Sequence, residues 1–376
     1  MTQTAKLLAE LIALPSVNNA FLPARDPHAG EGRVAEYLAA LGARAGLDID
    51  FQKVLPGRPN LLARLRPAGK VRRTVLLAPH LDTVNVANER QLKPYTKGGR
   101  MYGRGACDTK GSVATLFIAL CDLAKSSERP RETEIVFVGL VDEEQAQSGS
   151  RFLAQNKFKA DLAIVGEPTN LVVATAHKGS VWLNIETLGQ SAHGATPWFG
   201  KNAVHEMARV VDALETDFAA RLRKRRHPLL GHGSVSVGTI RGGTQTNIVP
   251  DQCLIGVDRR TLPGESEAAT RREVAAFLRS RKLNAKVSNV KLKPCYPLAT
   301  DASLPLVRLF LHSIGQKRPL GLHYFCDAAV LARAGIPSVV FGPGDIAQAH
   351  TADEWIELAQ LERGRQMLLR FLKSLP

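Results

Sequence analysis

Short apolar runs alternate with segments long enough for a helix, and this alternation leaves few architectures open. Residues 71–79, 134–141 and 162–165 each predict a buried strand, and a helix with apolar residues on more than one face begins near Gly111. Residues 336–341 predict a further buried strand. Strands that alternate with helices at this spacing are typical of a mainly parallel sheet with helices on its faces.

A different pattern occupies the middle of the chain. Residues 181–189, 234–240 and 253–257 alternate apolar and polar side chains, and a long helical segment lies at 202–226. Alternating strands with one polar face predict an antiparallel sheet that is covered by helices on one side. We therefore expect an α+β domain inserted into the α/β domain.

Length and composition agree with this division. The chain has 376 residues, which is more than one hydrophobic core usually serves. We place the α/β domain at residues 1–177 and 291–376 and the inserted domain at 178–290. Hydrophobic residues make up 44% of the chain and charged residues 23%, so extensive disorder is not expected.

Cysteine usage and hydropathy exclude other classes of protein. Five cysteines lie far apart without a CxxC pair, which argues against a disulfide framework or a four-cysteine zinc site. Glu10 interrupts the apolar N-terminal segment, which also lacks the cleavage site of a secretory signal. No apolar run approaches the roughly 18 residues needed to span a bilayer. These features predict a soluble, cytoplasmic protein with no membrane partner.

The charge balance raises the question of a nucleic acid partner. Fifty Lys and Arg against 35 Asp and Glu give a formal net charge of +15, and the densest basic run is 221–226. A solvated helix end also explains that run, because cations interact favourably with the helix dipole there. No zinc finger, RRM signature or aromatic-rich basic stripe accompanies it, and aromatic residues are only 6%. We therefore expect no nucleic acid partner and keep nucleic acid binding as a remote alternative.

Acidic and imidazole side chains follow the predicted core strands and a glycine-punctuated turn. They are His80 with Asp82, Asp108, Glu143 with Glu144, Glu167 and His350. Taken singly, each has an ordinary explanation as a core histidine, a solvated turn or a simple glycine turn. Sites in open α/β sheets form at the carboxyl ends of strands, so together these groups predict a common site.

The predicted site has the composition of a metal centre. Imidazole nitrogens with several carboxylates suit zinc, which cobalt or manganese can replace. A two-metal site needs a carboxylate between the ions, and nearby glycines let Asp108 approach closely. Glu143 and Glu144 can divide two roles, one binding metal and the other activating water. Asp82 can accept the second N–H of the His80 imidazole and fix its tautomer.

Five segments resemble, in the same order, the signature segments of the M20 dinuclear zinc peptidases and amidohydrolases. They are APHLDTV (78–84), YGRGACDTKGSVA (102–114), VDEEQAQSGS (141–150), VGEPT (165–169) and GPGDIAQAHTADEW (342–355). The resemblance runs from about residue 60 to residue 360. It implies a mainly parallel-sheet zinc-hydrolase domain with an inserted α+β lid and dimerisation domain, and hence a homodimer.

The resemblance implies two zinc sites that share one carboxylate. His80, Asp108 and Glu167 would hold one zinc ion. Asp108, Glu144 and His350 would hold the other, so that Asp108 bridges the two.

Further roles in the α/β domain follow from the same resemblance. Glu143 becomes the general base and general acid, and Asp82 becomes the partner of His80. A cis peptide bond is implied after Asp108. The glutamate at 167, where some members carry aspartate, indicates the deacetylase and desuccinylase branch.

The inserted domain carries its own matches to the family. Segments 176–203 and 242–251 resemble the lid and dimerisation domain. The resemblance implies that His193 stabilises the oxyanion, often in the partner subunit's active site, although an ordinary turn histidine stays an alternative. It also implies that Asn247 and Arg260 bind the substrate carboxylate, which suits a planar guanidinium.

The resemblance also narrows the substrate. AHKG at 176–179 and YFCDA at 324–328 are most similar to acetylornithine deacetylases. Where many members carry Gly-Thr-Asp-Ala, this chain has Phe-Cys-Asp-Ala at 325–328, which weakens a desuccinylase assignment. We expect hydrolysis of the linear amide bond of an N-acyl amino acid, first N-acetylornithine. A succinyl-diaminopimelate desuccinylase and a dipeptidase or carboxypeptidase acting on short peptides are the alternatives.

Overall fold

The computed structural model describes residues 1–290 and 293–376, and the chain folds into two compact units. The first unit consists of Met1–Thr175, Thr300–Leu320 and Cys326–Pro376, and the second of Ala176–Ala299 and Gly321–Phe325. The second unit is thus inserted into the first. The limits we predicted for the domains stay a prediction, and the limit at residue 291 lies outside the described part of the chain.

The strands are short and lie in both units. Their bounds are β1 (Asp48–Leu55), β2 (Arg58–Leu65), β3 (Arg73–Leu77), β4 (Tyr95–Lys97), β5 (Arg100–Tyr102), β6 (Thr133–Gly139), β7 (Leu162–Val165), β8 (Ala174–His177), β9 (Gly179–Leu188), β10 (Ser234–Gly242), β11 (Gln252–Thr261), β12 (Lys286–Asn289), β13 (Leu298–Ala299), β14 (Leu320–Leu322), β15 (Ser338–Val340) and β16 (Trp355–Glu357).

The helices alternate with these strands. Their bounds are α1 (Gln3–Ala13), α2 (Gly32–Arg44), α3 (Lys110–Lys125), α4 (Ser148–Gln155), α5 (Ala203–Ala213), α6 (Ala219–Arg223), α7 (Glu267–Ser280), α8 (Pro305–Ser313), α9 (Ala328–Arg333) and α10 (Leu358–Lys373). Within the described ranges, no helix combines the length and apolar character that a bilayer-crossing segment requires.

The large sheet of the first unit is parallel at its centre. Its strand order runs β1-β2-β6-β3-β7-β15-β8. The neighbours β6, β3, β7 and β15 pair in parallel, whereas β1, β2 and β8 pair antiparallel at the two sides. The predicted α/β class with a mainly parallel sheet is therefore confirmed.

The core of this unit lies between the sheet and its helices. Every residue of β7 is buried, and α3 is buried on most of its circumference because it contacts α1, α10 and β6. Phe117 of α3 packs edge-on against Phe137 of β6, with ring centroids 5.0 Å apart. This packing explains why α3 carries apolar residues on more than one face.

A small sheet joins two segments that are distant in sequence. Strands β4, β5 and β16 pair antiparallel, and Trp355 lies opposite Tyr102. The chain just before β16 and the chain just after β5 therefore lie side by side. Both segments carry predicted site residues.

The second unit has the predicted antiparallel sheet. Its strand order is β10-β11-β9-β12, and α5 and α7 contact the sheet. The helix α5 begins after Asn202, whose side-chain oxygen accepts hydrogen bonds from the backbone N–H groups of Val204 and His205. The helical segment continues through a π-helical turn at Leu214–Phe218 into α6.

Candidate metal centre

The predicted site residues of the first unit follow neighbouring parallel strands. His80 lies beyond β3, Glu143 and Glu144 beyond β6, and Glu167 beyond β7. His350 lies in the long loop between β15 and β16. Because these strands are parallel, their carboxyl ends meet at one edge of the sheet. The alternation of strands and helices in the sequence therefore predicts that these groups lie at one edge of the sheet.

Asp108 lies between two imidazoles. Its Oδ1 is 3.1 Å from Nε2 of His80, and its Oδ2 is 3.4 Å from Nε2 of His350. Nε2 of His80 is also 3.8 Å from Oε1 of Glu167, and Nε2 of His350 is 3.2 Å from Oε2 of Glu144. One ligand atom each from His80, Asp108 and Glu144 lies within 4.8 Å of the other two. The structure therefore brings these five side chains together.

Asp82 contacts the groups on both sides of it. Nδ1 of His80 lies 3.0 Å from the backbone oxygen of Asp82 and 3.4 Å from its Oδ1, so the carbonyl is the closer partner. The backbone N–H groups of Glu143 and Glu144 donate to Oδ1 and Oδ2 of Asp82 at 3.0 and 3.1 Å. The sequence predicts the Asp82 carboxylate as the partner of His80, and this role stays a prediction because the backbone carbonyl is nearer to Nδ1. The hydrogen bonds from the glutamate pair to Asp82 are an additional finding.

A network of buried hydrogen bonds holds the Asp82 side chain, and it was not predicted from the sequence. Asn18 donates to Oδ2 of Asp82 at 2.7 Å and to Oδ1 of Asp142 at 3.0 Å. Arg58 donates to Oδ1 of Asp142 at 3.2 Å and makes two hydrogen bonds of 2.6 Å with Glu31. Asp142 lies in the segment 141–150, whereas no periodicity or motif marks Asn18, Arg58 and Glu31, so the sequence held no signal for their contacts.

The loop before Asp108 depends on glycine. Gly105 has a φ of +83°, and a Cβ atom on it would lie 2.9 Å from Cδ of Lys110 and 3.0 Å from Cγ2 of Thr83. Only glycine adopts this left-handed conformation at such close approach without strain. The Asp108–Thr109 peptide bond is cis, which confirms the expectation from the resemblance.

The cluster crowds several carboxyl groups together with two imidazoles. Burial raises the pKa values of Glu143 and Glu167 well above their usual range; the His80 imidazole opposes this rise and the neighbouring carboxylates add to it. Burial also raises the pKa of Glu144, with the charge of Asp108 as the next cause. Hydrogen bonds to Asp108 and Glu144 raise the pKa of His350 to about 10.

These donors suit a divalent metal ion. Oε1 of Glu144 is buried and has no hydrogen-bond partner among the described residues. A buried carboxylate oxygen without a partner is costly, and a cation removes that cost. Imidazole nitrogen and carboxylate oxygen are ligands that zinc, cobalt and manganese accept. The residues present therefore fit a metal centre.

Asp327 is a further buried carboxylate of this unit, and the sequence assigns no role to it. The hydroxyl of Ser150 donates to its Oδ1 at 2.5 Å, and its Oδ2 has no partner within the described part of the chain. Burial raises the pKa of Asp327 to about 6, while the hydrogen bond from Ser150 opposes this rise. Its charge contributes to the raised pKa values of Glu143 and Glu167.

The remaining predicted site residues belong to the second unit. His193 is exposed, and its Nδ1 accepts a hydrogen bond from the backbone N–H of Ala195 at 3.1 Å. The backbone N–H of Gly194 donates to the carbonyl of Asn247 at 2.7 Å, so the two loops are paired. Nε of Arg260 donates to Oδ2 of Asp258 at 2.9 Å.

The basic run 221–226 begins within α6 and extends beyond its end. Arg225 lies 2.9 Å from Glu273 and 3.2 Å from Glu265, and Arg221 lies 3.7 Å from Glu273. Two of its arginines are thus engaged in ion pairs inside the second unit, as for a solvated helix end.

Comparison with known proteins identifies the class of enzyme. A family model described as "Peptidase family M20/M25/M40" matches residues 76–374. The chain is 31% identical over 388 residues to an acetylornithine deacetylase of Proteus mirabilis, covering 98% of this chain and 96% of that protein. The chain therefore belongs to the M20 family and is a hydrolase of amide or peptide bonds.

Solved structures share the fold. The aminopeptidase PepT of Bacillus cereus superposes with a TM-score of 0.77 at 21% identity, over 99% of this chain and 97% of that chain. The YXEP protein of Bacillus subtilis, described as a dinuclear metal-binding peptidase of the M20 family, superposes with a TM-score of 0.70 at 12% identity, over 98% of this chain and 96% of that chain. At these identities the likeness concerns the fold alone.

Proposed function

We propose that the chain is a zinc-dependent amidohydrolase that releases an amino acid from its N-acyl derivative, with N-acetylornithine as the preferred substrate. The observation that carries this proposal is Asp108, which lies between two imidazoles at 3.1 and 3.4 Å. The full-length similarity to an acetylornithine deacetylase supports the choice of substrate.

The proposed metal ligands form two sets that share Asp108. His80, Asp108 and Glu167 would hold one ion, and Asp108, Glu144 and His350 the other. When bound, divalent ions polarise the amide carbonyl and lower the pKa of the attacking water. Cobalt or manganese would support the same chemistry.

The chain's own residues would carry the proton and orient the substrate. Glu143 takes a proton from the attacking water and passes it to the leaving amine nitrogen. Asp82 holds the backbone of Glu143 in place through a hydrogen bond of 3.0 Å. His193 donates a hydrogen bond to the substrate oxygen that gains negative charge. Asn247 and Arg260 bind the substrate carboxylate, which a guanidinium contacts through two parallel N–H bonds.

We further propose that the first unit is the catalytic domain and the second the lid and dimerisation domain. The relevant partner would then be a second copy of this chain, and the small-molecule partner an N-acyl amino acid or a short peptide. Sedimentation of the purified protein would give the mass of a homodimer; the mass of a monomer would contradict this part of the proposal.

Purified, zinc-loaded protein offers a direct test of the substrate. Release of ornithine from N-acetylornithine would be compared with cleavage of N-succinyl-diaminopimelate and of a set of dipeptides. We expect the highest kcat/KM for N-acetylornithine. Faster cleavage of either alternative substrate, without release of ornithine, would contradict the deacetylase assignment while leaving the hydrolase assignment intact.

A further inference from the structure

Glu354 is a buried carboxylate of the segment 342–355, and the sequence assigns no role to it. It is only 1% exposed and lies four positions after His350, just before β16. Its carboxylate faces the loop that carries Asp108.

Within the described part of the chain, the hydrogen bonds to this carboxylate all come from that one loop. Oε1 accepts the backbone N–H groups of Cys107 and Asp108 at 2.8 and 2.9 Å. Oε2 accepts the backbone N–H of Gly105 at 2.9 Å and Nη1 of Arg104 at 2.7 Å. Both oxygens are thus occupied by donors from residues 104–108. Hydrogen bonds to an ionised acceptor are the strong ones in proteins.

Backbone carbonyls of the segment 351–354 accept further hydrogen bonds. The backbone N–H of Gly103 donates to the backbone carbonyl of Glu354 at 3.1 Å. The side chain of Gln91 donates to the carbonyls of Thr351 and Ala352, at 3.3 and 2.8 Å. Hydrogen bonds therefore hold the segment between His350 and Glu354 near its start, at Thr351 and Ala352, and at its end, at Glu354.

These contacts tie together two loops that each supply a proposed metal ligand. We infer that Glu354 is a positioning residue that holds the Asp108 loop against the His350 segment and so sets the separation of these two ligands. The inference rests on the proposed metal centre. Glu354 itself would contact neither the ions nor the substrate, because its oxygens are occupied by the loop.

A glutamine at this position cannot reproduce the contacts. A carboxylate offers two acceptor oxygens, whereas an amide offers one oxygen and an NH₂ group that only donates. In either orientation the NH₂ group would face two donors, either the N–H groups of Cys107 and Asp108 or those of Gly105 and Arg104. Glu354→Gln therefore breaks half of the contacts while it preserves the size of the side chain.

The test is a titration of metal-free protein with Co²⁺ alone. Calorimetry measures the affinity, and the visible absorption of the bound ion reports its surroundings. Wild-type protein should take up two equivalents. Glu354→Gln should bind at least one equivalent about 10- to 100-fold more weakly and with an altered spectrum, as for other outer-shell partners of metal ligands. Glu354→Asp, which keeps both oxygens, should recover part of the affinity. In the hydrolysis assay, kcat should fall while KM stays within about twofold.

Glu357 provides a matched control on the same segment. Glu357 lies three positions after Glu354, and its side chain is 45% exposed. Its Oε1 is 3.8 Å from Nη2 of Arg100. Glu357→Gln should bind Co²⁺ as the wild type does. If Glu354→Gln fails to fold, Arg104→Gln removes one of the donors and should weaken Co²⁺ binding in the same direction by a smaller factor.

The outcomes separate this inference from the proposed function. Wild-type protein that binds no Co²⁺ would overturn both. Wild-type and Glu354→Gln proteins that bind two equivalents with equal affinity and equal spectra would overturn the positioning role alone. Equal Co²⁺ binding by wild-type and Arg104→Gln proteins, in the case where Glu354→Gln does not fold, would also overturn it.

Discussion

Most of the predicted site residues of the first unit are buried or half-buried, with the exposed His350 as the exception, whereas those of the second unit are half-buried or exposed. In the first unit, His80, Asp108 and Glu167 are at most 8% exposed and contact one another or their supports. In the second unit, His193 and Asn247 are exposed and lie on paired loops. A buried cluster can hold a metal ion in fixed geometry, because its ligands are positioned before the ion arrives. Exposed loop residues suit a substrate that binds and is released in each catalytic cycle.

Replacement of the proposed base tests the buried side of this comparison and carries the largest expected effect. Glu143→Ala should lower kcat by about 100- to 10,000-fold, because the proton transfer loses its carrier. Bound zinc should stay near the wild-type amount, as measured by elemental analysis. Glu128→Ala, which alters a side chain that is 65% exposed, should behave as the wild type. Full activity in Glu143→Ala would refute the base assignment.

The exposed histidine gives the next effect in size. His193→Ala should lower kcat by about 100- to 1,000-fold, the usual loss when one donor to an oxyanion is removed. The melting temperature should not change, because the side chain is exposed. His312→Ala, at an exposed histidine of α8, serves as the control. A wild-type kcat in His193→Ala would show that this residue is an ordinary turn histidine.

The proposed carboxylate contact should give a smaller effect on substrate binding. Arg260→Lys should lower kcat/KM by about 10- to 100-fold, chiefly through a higher KM, because lysine cannot make the two parallel N–H bonds. Steady-state kinetics with N-acetylornithine would measure it. Arg241→Lys, on the neighbouring strand β10, should leave both constants unchanged. Equal losses in the two variants would argue against a specific carboxylate site.

A buried histidine of the second unit should give the smallest effect, on stability alone. Burial lowers the pKa of His177 to about 4, and its Nδ1 lies 2.9 Å from the carbonyl of Lys178. Between pH 6.5 and 4 the unfolded chain binds a proton that the folded chain does not, so acid reduces stability. Between pH 7 and 5.5 the loss should be about 1 kcal/mol.

The comparison of variants isolates that histidine from other titrating groups. His177→Gln should show a shallower fall of the free energy of unfolding with acid than the wild type, as measured by denaturant unfolding at each pH. Identical pH profiles for the two proteins would mean that His177 is not held neutral by burial.

The sequence predicts which core strands the first unit contains better than it predicts where each strand begins and ends. The run 162–165 coincides with β7, whereas the run 336–341 contains a shorter strand that begins at Ser338. Pro337 precedes that strand and has no N–H group to donate, which accounts for the later start. The hairpin of β1 and β2 was not predicted, although it extends the sheet on one side.

In the candidate site, the proposed ligands could be predicted from the sequence, whereas most of the residues that support them could not. His80, Glu144 and Glu167 follow core strands, and strand ends are visible in a sequence because apolar runs stop there. Asp108 follows a glycine-punctuated turn, and His350 lies in a long loop.

Asn18 follows no pattern, and Glu354 lies in the segment 342–355 without a role that the sequence assigns to it. Their hydrogen-bond partners lie 64 and 246 positions away along the chain. Only the fold brings such partners together, so a single polar residue in a loop carries no signal by itself.

The central claim is that the edge of the parallel sheet holds two metal ions that share Asp108. Anomalous diffraction at the zinc edge, from crystals of the zinc-loaded protein, would test it directly. The account predicts one peak among His80, Asp108 and Glu167 and a second among Asp108, Glu144 and His350. Peaks elsewhere, or no peak beside Asp108, would contradict it.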